Sequence, residues 1–448
     1  MSSDRSTSGR VPPGAPERPA PPAPSSTTSR PRPDAHLPFL GLCCGVSVSS
    51  IYLCQPLLPQ MGATFGASAA AAGQVGVATQ VGYAVGMLTI TPLGDARERR
   101  GLILKLFAAV AVALLLLACA PSLSLMLLLS AAVGACASVT HIVLPIAPDL
   151  AEPENRGRAV GVVMTGLLLG VLLARTFAGW LAELTAHLTS RIAGWRVVFL
   201  AAALVCALLL PAIRRLMPLL PVKQDLHYRD VMVSLWTLLR DEPLLRESCV
   251  LGALCFGAFS AFWNTLAFVL ERHGLGAGVA GTFGLVGAAG TLIAAFAGRL
   301  ADRRGPRYVI SLALSSLVLS FGGIYATERF ATTAQQAGHL HVWTYLLALA
   351  GMVVLLDIGT QALQLGNQTR NFALQPGARS RINTLYMTSY FVGGAVASAV
   401  SPVLWQHFGV GGLCAFEMVL ILLAILRHAT GKPVPVAAEQ QREALLHA

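Results

Sequence analysis

Pro92-Leu93-Gly94-Asp95-Ala96-Arg97-Glu98-Arg99-Arg100-Gly101 is a short charged knot between two long apolar runs, Gln74–Ile90 and Leu102–Ala120. Such runs are long enough to cross a bilayer core, which takes ~20 residues of helix. A connection this short makes them an antiparallel hairpin. The second half of the chain repeats the arrangement in Gly298-Arg299-Leu300-Ala301-Asp302-Arg303-Arg304-Gly305-Pro306-Arg307, again between apolar runs. One such loop is ordinary, because short cytoplasmic loops collect Arg and Lys. Two in register point to a duplicated architecture.

Working outward, the composition agrees. The 448-residue chain is 55% hydrophobic and 12% charged, with a mean hydropathy of +0.65, against about 25% charged for soluble domains. Apolar runs fall at 37–60, 70–92, 101–120, 122–148, 158–182, 195–217, 246–270, 278–299, 307–327, 340–366, 382–405 and 409–427. The longest polar interruption, 218–245, carries Lys223, Asp225, Arg229, Asp230, Arg240, Asp241 and Glu242 and reads as a linker, helical in part. The expected fold is therefore an all-α polytopic membrane protein, with twelve transmembrane helices in two pseudo-symmetric six-helix halves, 37–217 and 246–428. Residues 1–36 are rich in Pro, Ser, Thr and Arg and lack an apolar core. They read as a disordered cytoplasmic tail and not as a signal peptide; 429–448 form a second cytoplasmic tail.

A net charge of +11 and a pI near 9.6 invite a nucleic-acid reading until the charges are placed. Arg175 falls inside a span, and Arg191, Arg196, Arg272 and Arg329 on one side of the membrane. All the remaining Lys and Arg fall on the side of the tails and linker. The positive-inside rule puts that side in the cytoplasm, in keeping with a multi-pass protein of a bacterial inner (plasma) membrane. The basic balance is thus a topology signal, and nucleic acid is not an expected partner; the lipid bilayer is. The nine cysteines lie in apolar stretches without a C-x-x-C spacing and read as small buried hydrophobes. No Walker loop, GxSxG, HExxH or Cys/His metal spacing is present, so neither ATP, a cofactor, a metal nor an enzyme activity is expected. A shift of 223 positions superposes Pro153, Arg156, Arg158, Met164, Thr165, Gly170 and Ala174 on Pro376, Arg379, Arg381, Met387, Thr388, Gly393 and Ala397. Parallel repeats with a substrate path between them are a transporter plan.

On the two Asp–Arg loops the chain resembles the major facilitator superfamily of secondary transporters. The superfamily's hallmark loop runs Gly, three residues, Asp, a basic residue, any, Gly, any, then two basic residues. The second copy matches it through Gly298, Asp302, Arg303, Gly305 and Arg307. The first departs at Thr91, Ala96 and Glu98 and keeps Asp95, Arg99 and Arg100. The resemblance covers roughly residues 37–428 and implies loops that tie cytoplasmic helix ends together and steady one state of the transport cycle. Span five, Gly161-x8-Gly170-x3-Ala174-Arg175-x2-Ala178-Gly179, resembles the superfamily's antiporter signature, with Arg175 where proline is usual. The small-residue face that lets a helix approach closely survives; the proline bend does not. This favours efflux, beside the plainer reading of helix packing.

Within the spans, Arg175 and Asp357 stand out. A charge deep in a bilayer costs several kcal/mol unless it faces a cavity or a partner. Arg175 is expected to face inward, toward a carboxylate or an anionic substrate, with snorkelling to a surface as the alternative. Asp357, in Val353-Val354-Leu355-Leu356-Asp357-Ile358-Gly359-Thr360-Gln361, is the first expectation for a proton or cation site, and a static partner for Arg175 is the competing one. Gln361 and Gln364 lie on its helix face. His141 is a second candidate for proton coupling, though a packing role suits it as well. The resemblance implies a cavity lined by spans one, four, seven and ten, which brings in Gln55, Trp263 and Asn264. Glu417 is expected to pair with a neighbouring helix. The expected function is proton-coupled efflux of a small organic molecule by alternating access, carried out by a monomer, as in the drug:proton-antiporter and sugar-efflux branch. Proton-coupled uptake and a non-transporting membrane sensor are the alternatives.

Overall fold

The structure is a computed structural model that describes residues 36–152, 155–189, 191–219, 228–337, 339, 341–375 and 378–431. Within its helices the side chains of residues 95, 288–299, 301 and 302 lie outside that description. All regular structure among the described residues is helical. The N-terminal half comprises α1 (Leu37–Tyr52), α2 (Leu58–Phe65), α3 (Ala69–Thr89), α4 (Leu93–Ala96), α5 (Arg99–Ala118), α6 (Leu123–Ala137), α7 (Thr140–Val143), α8 (Ile146–Leu150), α9 (Arg156–Leu188) and α10 (Gly194–Leu216). After α11 (Tyr228–Asp241) come α12 (Pro243–Arg272), α13 (Ala277–Arg304), α14 (Pro306–Gln336), α15 (Val342–Phe372) and α16 (Arg379–Thr430).

Among the described residues, nine helical stretches are long and apolar enough to cross a membrane. The last of them, α16, is interrupted at Gly409, whose φ of 60° and ψ of −152° are not helical. That conformation suits a residue without a Cβ and falls at the start of the last expected span. Expected span two, α3, is not among the nine: it is diluted by Gly73, Gly76, Gly82, Gly86, Gln74 and Gln80. Its small residues are used for packing, not lipid contact. In expected span eight, the described apolar stretch is the short Ala277–Gly287. Broad apolar surface on the outer helices, such as Leu204, Leu208, Leu319 and Leu422, each more than half exposed, is what a lipid-facing surface requires.

Breaks follow their local chemistry. Pro56, which has no N–H to donate, interrupts the first span in a 3-10 turn, Gln55–Leu57, and turns Gln55 inward. Ser68 caps α3 by accepting from Ala71 N–H at 3.3 Å. Glu98, one of the three residues that depart from the hallmark loop, caps α5: its carboxylate accepts from the N–H groups of Arg100 at 2.8 Å and Gly101 at 2.6 Å.

The sequence repeat has a physical counterpart. A Cβ at Gly170 would stand 2.2 Å from the Gly45 carbonyl oxygen, so α9 lies backbone to backbone on α1. Its repeat mate Gly393 does the same on α12, where a Cβ would meet the Ala253 carbonyl oxygen at 2.2 Å. Pro153 and Pro376 lie outside the described residues.

In the Asp–Arg loops, Arg99 donates to Gly94 C=O and Asp149, both at 2.9 Å, and Arg100 donates to Met217 C=O at 3.3 Å. In the second loop Gly305 has φ 83° ahead of α14. Arg307 donates to the carbonyls of Gly431 at 2.9 Å and His428 at 3.0 Å, which closes the end of α16. Arg303 is exposed at the end of α13. The side chains of Asp95 and Asp302, and residue Gly298 beyond its place in α13, lie outside the description, so their expected helix-tying contacts are not part of it.

Candidate functional site

The two halves meet along two seams. At one, α3 packs on α16 and α12. Asn264 donates to the carbonyls of Gly73 and Ser398, each at 3.2 Å, while Gln80 bridges Ser398 at 3.3 Å and Ser260 at 3.0 Å. At the other, the second half of α9 packs on the start of α13. A Cβ at Gly179 would lie 2.2 Å from the Ala277 carbonyl oxygen. Thr176 donates to Gly281 C=O at 2.9 Å, Trp180 to Thr282 at 3.0 Å, and Gly278 N–H to Glu183 at 2.7 Å. The seam is shut from Arg175 to Glu183.

From Arg175 the other way, toward the Arg156 end of α9 and the Phe372 end of α15, the seam widens into a cavity of about 230 Å³. Arg175 and Asp357 are both in its wall, with Gln361, Gln364 and Gln368 along α15 and Phe256, Phe259 and Tyr390 facing them. Arg175 is 3% exposed and Asp357 7%. The guanidinium is held on three sides. Its Nε donates to Gln55 at 2.6 Å, and its carbon lies 4.1 Å from the Trp263 ring centroid and 4.6 Å from that of Tyr52. Cation–π contact with desolvated rings is worth ~2 kcal/mol. Its Nη2 is buried without a partner, as is Oδ2 of Asp357. Among the described residues no ion pair joins the two.

The sequence candidates therefore separate. Gln55, Trp263, Arg175, Asp357, Gln361 and Gln364 come together. Asn264 serves the seam and not the cavity. His141 stands apart, half-buried and bonded to the Tyr83 hydroxyl at 2.9 Å. Of the spans to which the resemblance pointed, seven and ten line the cavity, and spans five and eleven supply further walls. In the antiporter-like helix, Gly170 and Ala174 are packing positions, Gly179 forms the seam, and a Cβ at Gly161 would meet nothing within 4 Å. Glu417 departs from expectation: it is fully buried and neither carboxylate oxygen has a partner.

Sequence reading passed over two clusters at opposite helix ends. Glu247 on α12 accepts from Arg370 at 2.8 Å and lies 3.5 Å from Arg427. Glu328 on α14 accepts from Tyr345 at 2.6 Å and His273 at 3.1 Å. Their residues are far apart in sequence and sit near helix ends, where charge is unremarkable.

A helical bundle in two packed halves, apolar outside and with buried opposite charges at a cavity in the seam, is the build of a membrane transporter. The profile of the Major Facilitator Superfamily matches residues 40–398, and the chain belongs to that superfamily. The chain is 38% identical over 390 residues to the "Uncharacterized transporter YgaY" of Escherichia coli O157:H7, covering 87% of this chain and 93% of that one. It is 34% identical over 406 residues to the "Probable transporter SCO4007" of Streptomyces coelicolor, covering 90% and 88%. Among solved structures, a bacterial homolog of the human lysosomal transporter Spinster, inward-facing and unoccupied, superposes with a TM-score of 0.70 at 15% identity over 90% of this chain and 96% of that one. The nucleoside transporter NupG superposes with 0.66 at 13% identity, covering 89% and 98%.

Proposed function

We propose that this transporter exports a small organic molecule across a bacterial inner membrane in exchange for protons, acting as a monomer with both termini in the cytoplasm. The observation that carries the reading is the pair of buried, incompletely bonded charges, Arg175 and Asp357, in the wall of one cavity at the seam between halves. An exchanger needs a group that holds a proton on one side of the cycle and yields it on the other, and Asp357 fills that role. The flanking glutamines and aromatic rings receive the substrate. The close-packed α9–α13 seam opens when the cavity faces the other way. The loops with Asp95, Arg99 and Arg100 and with Asp302, Arg303 and Arg307 bias that equilibrium at the cytoplasmic helix ends. Efflux is favoured by the small-residue face of α9.

The test is accumulation of a compound panel in cells with and without the gene and a protonophore, repeated with Asp357→Asn. Export that collapses with the protonophore, and an Asp357→Asn variant that exchanges substrate passively but no longer couples, are the expected results. A variant still driven by the proton gradient would move the proton site elsewhere, with His141 next. Lower accumulation only when the protonophore is present would reverse the direction to uptake.

A further inference from the structure

We infer that the cavity takes a small zwitterion: a molecule with a carboxylate for Arg175, a protonated amine for Asp357, and an apolar or aromatic body. The inference rests on the transport reading of this site. It begins from where α13 holds the two charges. A Cβ at Gly284 would lie 3.0 Å from Cβ of Arg175, and one at Gly287 would lie 3.1 Å from Oδ2 of Asp357. Three helical residues span ~4.5 Å, so the Arg175 stem and the Asp357 carboxylate pack on the same helix about one turn apart, and no ion pair joins the two residues among those described.

Arg175 is not free to reach across. Gln55 holds Nε, and the rings of Tyr52 and Trp263 fix the guanidinium, which leaves Nη2 as a buried donor without a partner. A guanidinium is a rigid planar fork that matches a carboxylate. Asp357 offers the complementary unbonded acceptor in Oδ2, buried beside Gly287. A ligand with one charge would satisfy one of these groups and set the other against a like charge or against nothing, at the cost of an uncompensated buried ion. A molecule bearing both charges closes both positions and leaves the site neutral. Its ammonium also occupies the acceptor that a proton would otherwise take, which couples the substrate to the proton in the exchange sense.

The body of the ligand is set by the rest of the wall. Phe256, Phe259, Tyr390 and Met164 line it beside the glutamines of α15. That suits a small molecule with an apolar or aromatic body.

The test uses the full-length protein in proteoliposomes. The zwitterions are L-phenylalanine, L-leucine and L-methionine. The controls are L-phenylalaninamide, which keeps only the cation, N-acetyl-L-phenylalanine, which keeps only the anion, and the doubly blocked neutral form. Binding is read from the shift in unfolding midpoint and transport from counterflow. At least one zwitterion should bind and exchange, with its singly charged derivatives roughly tenfold or more weaker, equivalent to ~1.4 kcal/mol. Arg175→Gln should erase the preference over the amide, and Asp357→Asn the preference over the N-acetyl form. Amide binding as tight as the free amino acid would overturn the carboxylate contact, equal binding of the N-acetyl form would overturn the amine contact, and no binding by any zwitterion would overturn the class. Because these comparisons are made on the unsubstituted protein, they stand even where a variant fails to fold. Zwitterion binding without exchange would overturn the transport reading and leave the site chemistry intact. Exchange confined to non-zwitterionic compounds would do the reverse.

Discussion

Nε of Arg175 donates to Oε1 of Gln55 at 2.6 Å across the interior of the N-terminal half, and both side chains are buried. Pro56 breaks the first span at this point and presents Gln55 to α9, so a backbone defect in one helix orients a charge in another. Gln55→Ala should leave the guanidinium stacked on its rings but one acceptor short. A hydrogen bond to a charged group contributes ~1.5–3 kcal/mol. The expected outcome is a lower unfolding midpoint in detergent together with a large fall in counterflow, while membrane insertion stays normal. A variant that transports at full rate would show that Arg175 needs no positioning from Gln55.

Gly179 tests the α9–α13 seam. A side chain there would meet the Ala277 carbonyl oxygen at 2.2 Å, which is backbone and cannot swing away. Gly179→Val should hold the seam apart and depress exchange by roughly tenfold or more, the equivalent of ~1.4 kcal/mol in the balance of states. The conformational part is checked by thiol labelling of Thr282→Cys in the otherwise intact protein, which should react faster beside Gly179→Val than beside Gly179. Equal labelling would mean that the seam is not a closed gate.

Glu247 ties α12 to α15 and α16 through Arg370 and Arg427. Arg370 is buried and has two further nitrogens, Nε and Nη2, without partners. Removing the carboxylate therefore strands a buried cation, a loss of ~3–5 kcal/mol. Glu247→Gln should reduce the fraction that survives size-exclusion chromatography in detergent. The paired replacement Glu247→Leu with Arg370→Met should recover most of it, since neither charge is then left alone. If the pair is no better than the single variant, the contact stabilises the bundle in some other way than by charge compensation.

His273, just past the end of α12, donates to Glu328 at 3.1 Å and lies 2.8 Å from Gln335. The hydrogen bond to Glu328 holds the imidazole above its ordinary value of 6.5, against burial and the neighbouring Arg272, which push it down. A group whose pKa is raised by folding stabilises the fold fully below its unfolded value, and that contribution fades as pH rises through the raised value. The gap in unfolding midpoint between the unsubstituted protein and His273→Gln should therefore be larger at about pH 6 and shrink toward about pH 9. A gap that is constant or grows with pH would mean that the neutral ring makes the contact.

Fold class was legible in the chain because the bilayer is a strict solvent. Every backbone polar group in it needs an internal partner, so apolar length alone announces helices, and the duplicated Asp–Arg loops and the 223-residue repeat supply the family plan. The boundaries followed to within a turn at Pro243, Pro306 and Gly409, where backbone chemistry is local. The charges Arg175 and Asp357 were legible for the same reason: mid-span charge is costly wherever it occurs. What the tertiary structure alone decided is which residues meet. Gln55 reaches Arg175 across 120 positions, while Asn264, beside Trp263 in sequence, turns to the Gly73 carbonyl and leaves the cavity. A helix sends neighbours about 100° apart, and helix rotation is set by small-residue contacts such as Gly170 on Gly45. Those contacts are long-range, so the polar stripe of a helix can be read from its sequence, but whether that stripe faces a cavity, a seam or a charge is settled only when the helices pack.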